Sequence, residues 1–263
     1  GNEKQIETVK LPVRFTSVFA KKYESGSLQG NQTREIVFSS TFEPNSAISH
    51  VILSNSPVIE YFNGIDFLLN YPYGCMEQTV SKAFPLIYFP EITKISKIST
   101  DQNLSTEASK IISNVIDRTK MLQLPEGGWG MWESDYEGHW WITCYTTHFL
   151  IASRNAGYKV DSKSIDRSLK YIRAKTINVK AIQYIGRSGK VEQNLNLLPN
   201  EAFYGLFVLA LAGKSDYSIM NYYKNQLVYI SDDSKVLLAC AYKLTGDESS
   251  FNNIITNINT KPI

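Results

Sequence analysis

Two side chains in the stretch YPYGCMEQTVSKAFP, residues 71–85, can do chemistry together: the thiol of Cys75 and the carboxamide of Gln78. They stand three positions apart, so in a turn or a first helical turn they meet on one face. A thiol held against a primary carboxamide with water excluded can displace ammonia and leave an internal thioester. The acyl group of such a bond is activated, because a thiolate leaves far more readily than an amine. The flanks suit this purpose: Gly74 lets backbone approach closely, Pro72 stiffens the turn, and Tyr71 and Tyr73 can cover the bond. A bare Cys-x-x-Gln also fits an inert buried thiol with a glutamine near it by chance, so the spacing alone leaves both readings open.

Other chemistry-bearing residues are weaker candidates. Cys144 and Cys240 lie in apolar runs (WITCYTTHFL, VLLACAYKL) and are expected to be buried, inert thiols. Three cysteines make no disulfide framework, and no Cys/His spacing suggests zinc, so neither a metal nor a cofactor is expected. Gly127-Gly128-Trp129-Gly130 lacks GxxxxGK and follows no βαβ unit, which favours a packed turn over a phosphate cradle. Glu133, Asp135 and Glu137 alternate in the same loop and read as a solvated acidic segment, although paired carboxylates can also cleave glycosides. His139 and His148 flank the start of one helical run without HExxH context, and His50 lies in a strand-like run. Lys163, Arg167, Lys170 and Arg173 are spaced as the wet face of one amphipathic helix.

The elements that must hold these residues fall into two textures. Residues 1–56 read as β, in short β-branched runs (TVKLPVRFTSVF, REIVFSS, ISHVILSN) separated by turn-rich segments. From residue 57 to 263 helices dominate, beginning with PVIEYFNGIDFLLNY, where Pro57 suits a first turn and Ser56 a cap. Further helices are expected over 77–92, 105–122, 140–157, 161–175, 198–213, 216–230, 232–246 and 248–258. Gly157, Gly213 and Gly246 stand where C-caps do, and Asp161, Ser215 and Ser231 where N-caps do. The apolar pattern repeats as helix pairs, and the helices at 140–156 and 200–213 are apolar nearly all round, as inner helices of a double-layered ring are. The 27 basic and 25 acidic residues leave a net charge of +2, too weak a field to draw nucleic acid or a membrane surface. No apolar run is long enough for a membrane span. The chain opens GNEKQ without methionine and stops at NTKPI, so we expect an excised piece of a longer protein, with Gly1 a protease scar and compartment signals missing.

Beyond the bare spacing, YPYGCMEQTVSKAFP resembles the thioester motif of the alpha-2-macroglobulin and complement family, Pro-Tyr-Gly-Cys-x-Glu-Gln. The leading Tyr, the Thr after Gln78 and the Ser-x-Ala-Phe-Pro that follows look most like its bacterial members. The segment PEGGWGMWESDYEGHWWITCYTTHFLIASRNAGY is similar to the family's Gly-rich, Trp-containing loop before a helix that usually reads Trp-Leu-Thr-Ala-Tyr. The resemblance runs over about residues 48–215. It implies that 57–263 is a mainly α thioester domain, an α/α toroid of antiparallel helix pairs, complete or not, and that 1–56 belongs to a neighbouring β domain.

The resemblance also implies the function. Members trap proteases: the attacker cuts a bait segment elsewhere, the thioester is exposed, and a nucleophile of the attacker captures the glutamine acyl group. This is single-use inhibition without turnover. Carried over, Cys75 is the thiol and Gln78 the acyl donor, supported by Tyr73, Gly74 and Glu77. Partners would be attacking proteases and other domains of the same long chain, in a bacterial periplasm or envelope, with a lipid anchor compatible with a missing N-terminus. Some complement relatives carry a histidine in a loop matching residues 176–203 that relays the acyl group to hydroxyls. That region holds no histidine here, so direct capture by amines is expected, with His139 the candidate substitute. The competing readings are a cysteine hydrolase using Cys75 with His139 or His148 as base, and a helical interaction module with an inert Cys75.

Overall fold

A computed structural model of the chain describes residues 8–10, 22, 24, 26–35, 48–49, 51, 53, 74–88, 102–177, 179–188 and 191–258. The chain divides into two compact units, Gly1–Ile52 and Leu53–Ile263. Most of the expected β segment, the expected helix after Pro57 and the residues Tyr71, Pro72, Tyr73 and His50 lie outside the described residues.

The second unit is mainly α. Its described helices are α1 (Met76–Ile87), α2 (Gln102–Leu122), α3 (Trp140–Asn155), α4 (Ser162–Thr176), α5 (Asn200–Leu211), α6 (Tyr217–Lys224), α7 (Asp232–Leu244) and α8 (Glu248–Ile255). They pack in succession: α1 on α2 and α3, α3 on α4 and α5, α4 on α5, α5 on α7, and α7 on α8. This arrangement of helix pairs around an inner layer is consistent with an α/α toroid. The inner layer is α3 and α5, as their all-round apolarity requires: Ile142, Phe149 and Ile151 of α3 and Ala202, Phe203 and Leu206 of α5 are fully buried.

The helix ends follow local chemistry. Asp161 and Ser231 cap α4 and α7 by accepting backbone N–H groups of Lys163 and Ser234. At α6 the cap is Asp216 rather than the expected Ser215; its carboxylate accepts from Ser218 and Ile219 and also binds Arg173 of α4. Gly157, Gly213 and Gly246 end α3, α5 and α7 at positive φ, which a Cβ would disfavour. Residues 216–230 do not form one helix: α6 stops at Lys224 and a 3-10 turn, Leu227–Tyr229, follows. Cys144 is buried as expected, whereas Cys240 is only partly so, because it lies on α7 outside the fully buried stripe of Leu238, Ala239, Ala241 and Tyr242.

One pair of elements was not expected. Strands β1 (Ile182–Ser188) and β2 (Val191–Leu197) pair antiparallel between α4 and α5, with Ile182 opposite Leu197 and Ser188 opposite Val191.

Close packing of α4 on α5 depends on Gly205. A Cβ there would stand 2.9 Å from Ile172 Cγ2 and 2.9 Å from Thr176 Cγ2. Gly205→Ala is therefore expected to lower stability by about 1–3 kcal/mol despite alanine's better helix propensity, as read by the urea midpoint. An unchanged or raised midpoint would show that the two methyl groups can move aside.

Candidate functional site

Cys75 is the N-cap of α1. Its backbone is extended (φ −65°, ψ 162°), and its sulfur accepts the backbone N–H of Gln78 at 3.4 Å. The first turn of a helix leaves its N–H groups unpaired and carries partial positive charge. The sulfur thus faces a donor suited to negative charge developing on it. Cys75 is 5 % exposed. In the same first turn, the side-chain oxygen of Gln78 is buried with no hydrogen-bond partner. A buried carbonyl oxygen without a partner is uncommon, because its lost hydration is not repaid. The expected acyl donor is therefore held as an unsolvated carbonyl on the helix turn that the sulfur caps.

Neighbouring elements fix this turn. Arg118 of α2 donates to the carbonyl of Gly74 at 3.4 Å and pairs with Glu133. The N–H of Met76 donates to Met131 O at 2.8 Å, which ties the start of α1 to the loop between α2 and α3. That loop is a packed turn, closed by the protein's own groups. Leu124 N–H donates to Gly128 O at 2.9 Å, and the fully buried Trp129 donates through Nε1 to Thr119 O at 2.8 Å. Thr143 Oγ1 accepts the Trp129 N–H at 3.0 Å and donates to His139 O at 2.8 Å. At Gly127, where φ is +99°, a Cβ would stand 2.5 Å from Arg167 O, so glycine is required there.

The acidic residues of this loop are not uniformly solvated. Glu133 and Glu137 are exposed, but Asp135 Oδ2 accepts the N–H groups of Met131 and Trp132 at 2.8 and 3.0 Å. It braces the segment that holds Met76. The basic residues Lys163, Arg167, Lys170 and Arg173 all lie on the exposed face of α4.

Glu77 is brought to the sulfur: its Oε2 stands 4.0 Å from Cys75 Sγ, and its Oε1 accepts from Ser81 Oγ at 3.3 Å. Ser81 Oγ in turn lies 3.1 Å from the hydroxyl of Tyr145 on α3. Sequence reading singled out Glu77 but missed Ser81, Tyr145 and Arg118. The signals for Ser81 were its place in the Ser-x-Ala-Phe-Pro run and its i+4 relation to Glu77, neither of which assigned it a role.

Neither His139 nor His148 is hydrogen-bonded to Cys75. His139 caps α3, its Nδ1 accepting the Ile142 N–H at 3.4 Å, and it makes no hydrogen bond to Cys75 or Gln78. His148 Nδ1 pairs with the Tyr204 hydroxyl at 3.0 Å, and its ring packs edge-on against Phe84 and Phe207. A hydrolase dyad has no geometric support among these residues. Among the described residues there is also no cluster of His, Cys, Asp and Glu fit to hold a metal ion. No described helix is long and apolar enough to cross a membrane.

Burial pushes His148 down from 6.5 to about 4. Between those values the unfolded chain takes up a proton that the folded chain refuses. The stability contributed by the neutral ring is therefore whole above pH 6.5 and lost as pH falls toward 4, up to roughly 3 kcal/mol. Urea unfolding at pH 7 and 4.5 should show this loss, and His148→Phe should reduce it. An equal loss in both proteins would remove His148 as its source.

A family model, the A-macroglobulin TED domain, matches residues 46–194. The alpha-2-macroglobulin of Thermotoga maritima is 26 % identical over 255 residues, 95 % of this chain and 14 % of its own length. The structure of native Escherichia coli alpha-2-macroglobulin from domain MG7 to the C-terminus superposes with a TM-score of 0.60 at 22 % identity, covering 76 % of this chain and 30 % of that one. Salmonella alpha-2-macroglobulin reacted with methylamine gives 0.58 at 22 % identity, over 74 % of this chain and 12 % of that one. The chain thus spans a small part of its curated relatives, 8 % of the Escherichia coli protein and 14 % of the Thermotoga one. The family model covers more than half of the sequence, including the Cys75 turn and the Trp129 loop, and the helix packing agrees with it: this chain belongs to the A-macroglobulin TED domain family.

Proposed function

We propose that residues 57–263 are the thioester domain of a macroglobulin-like protease inhibitor, and that Cys75 and Gln78 form its reactive bond. The thiol attacks the Gln78 carboxamide carbon, a C–S bond forms, the C–N bond breaks, and the thiol proton leaves with the nitrogen as ammonia. The observation that carries this reading is the sulfur of Cys75 on the Gln78 N–H, in a turn where the Gln78 side-chain oxygen is buried and unpartnered. Cleavage of the inhibitor by an attacking protease then exposes the bond, and a lysine amine of the attacker takes the acyl group. The Salmonella relative's reaction with methylamine supports amines as nucleophiles in this family. Residues 1–56 would belong to an adjoining β domain of the same longer chain, and the setting would be a bacterial envelope.

Intact mass tests the bond. The complete protein should be lighter than its encoded mass by one ammonia, and methylamine should remove that deficit by adding its own mass while one thiol appears. A protein of full encoded mass, inert to methylamine with Cys75 titrating throughout as a thiol, would refute the reading.

A further inference from the structure

Besides the cysteine and glutamine, the half-buried face between α1 and α3 holds a continuous chain of polar atoms that ends at the sulfur. It runs from Tyr145 OH to Ser81 Oγ (3.1 Å), to Glu77 Oε1 (3.3 Å), and across the carboxylate from Oε2 to Cys75 Sγ (4.0 Å). Its far end is rigid. The Tyr145 ring stacks on Trp141 at 5.1 Å between centroids and lies 5.5 Å from Phe84. Burial and the nearby Glu77 carboxylate raise the Tyr145 hydroxyl above its ordinary range, so it stays a neutral hydrogen-bonding group. Ser81 has little conformational choice, because Glu77 lies one turn before it on the same helix face. The carboxylate is therefore held by one oxygen, which leaves the other free to face Cys75 Sγ.

Aminolysis of a thioester needs such a group. As the amine nitrogen bonds to the Gln78 acyl carbon, it becomes acidic and must lose a proton. As the C–S bond breaks, its electron pair stays on sulfur, which must gain one. A carboxylate beside both can take the proton from nitrogen and pass it to Sγ. The products are an amide at residue 78, a neutral Cys75 thiol and an unchanged carboxylate.

We propose that Glu77 is the proton shuttle of the capture step, and that Ser81 and Tyr145 are positioning residues that aim it at Cys75. This rests on the reading of Cys75 and Gln78 as the thioester pair. A carboxylate free to rotate away would shuttle less well, and supporting groups of this kind commonly contribute a factor of about 10–100.

The experiment uses the complete protein, with thioester content measured by intact mass in every variant so that rates refer to formed bond. Methylamine incorporation is followed against methylamine concentration. In the natural protein the rate should be first order in amine, the internal carboxylate serving as base. Ser81→Ala and Tyr145→Phe should each react about tenfold more slowly, and the order in amine should rise toward two as a second amine molecule replaces the misaligned carboxylate. Ser81→Thr keeps the hydroxyl and should restore both rate and order. Glu77→Ala should be slower still, about 100-fold, and added formate should recover part of the rate.

A purely structural relay would lower thermal stability without changing the order in amine. If Ser81→Ala and Tyr145→Phe react at the natural rate and first order, or if Ser81→Thr is as slow as Ser81→Ala, the positioning role fails. If formate leaves Glu77→Ala unchanged, the shuttle fails. Either failure leaves the mass deficit of the natural protein in place. Absence of that deficit would instead overturn the thioester itself.

Discussion

Gln78→Glu is expected to end covalent capture and leave Cys75 a freely titrating thiol. The substitution is nearly isosteric, so the sulfur keeps the Gln78 N–H that α1 offers it. What changes is the leaving group. A carboxamide carbon attacked by the thiol can expel ammonia, whereas a carboxylate resists attack and holds no comparable leaving group. The protein should therefore show its full encoded mass, react with thiol reagents before any protease is added, and take up no methylamine. Cys75→Ala should abolish capture as well and should cost only about 0.5–2 kcal/mol, the usual cost of a lost N-cap. Adduct formation at the natural level in either variant would remove these two residues from the chemistry. A collapse of folding in Cys75→Ala with capture intact would make the cysteine structural.

Trp129→Ala is expected to have the largest effect on stability, about 3–5 kcal/mol, read from denaturant midpoints. The side chain is fully buried, and its Nε1–H reaches the carbonyl of Thr119 at the end of α2. Its backbone carries the start of α3 through His139 N–H and the Thr143 hydroxyl. Met131, whose carbonyl holds the N–H of Met76, lies two residues further on. Loss of the indole should thus loosen the start of α1 as well, and the thioester content of the surviving folded protein should fall. Trp129→Phe keeps most of the buried area but strands the Thr119 carbonyl, so a smaller cost of about 1–3 kcal/mol is expected. A variant as stable as the natural protein would show that the loop closes without the indole.

The helical part of this fold was legible because its signals are local. Apolar spacing placed α3, α4, α5 and α7 within one or two residues of their observed ends and ran three residues past the end of α8, and aspartate, serine and glycine marked most caps. The hairpin at 182–197 was not legible. Asparagines and glutamines interrupt its alternation, as does a mid-strand glycine, Gly186, so period-2 patterning is weak. Ser215 and Asp216 are both good capping types, and only the position of Arg173 on the facing helix shows why the second one caps. At the site, Cys75, Glu77 and Gln78 share one helical turn and could be read together. Tyr145 stands 64 residues from Ser81 in sequence, and no local rule joins them.

The place of α3 among its neighbours bears on how a captured molecule would be carried. It packs on α1, α4 and α5, while α8 rests chiefly on α7. Amide hydrogens in α3 should exchange with solvent only on global opening, and those of α8 should exchange earlier through local fraying. Exchange in α3 as fast as in α8 would contradict this order. A protein attached at residue 78 would hang from a helix seated on the element that opens last. Tugging by that cargo would spread through the inner layer as strain before it could peel the outer helices, so the domain would act as a mooring as well as a reactive surface.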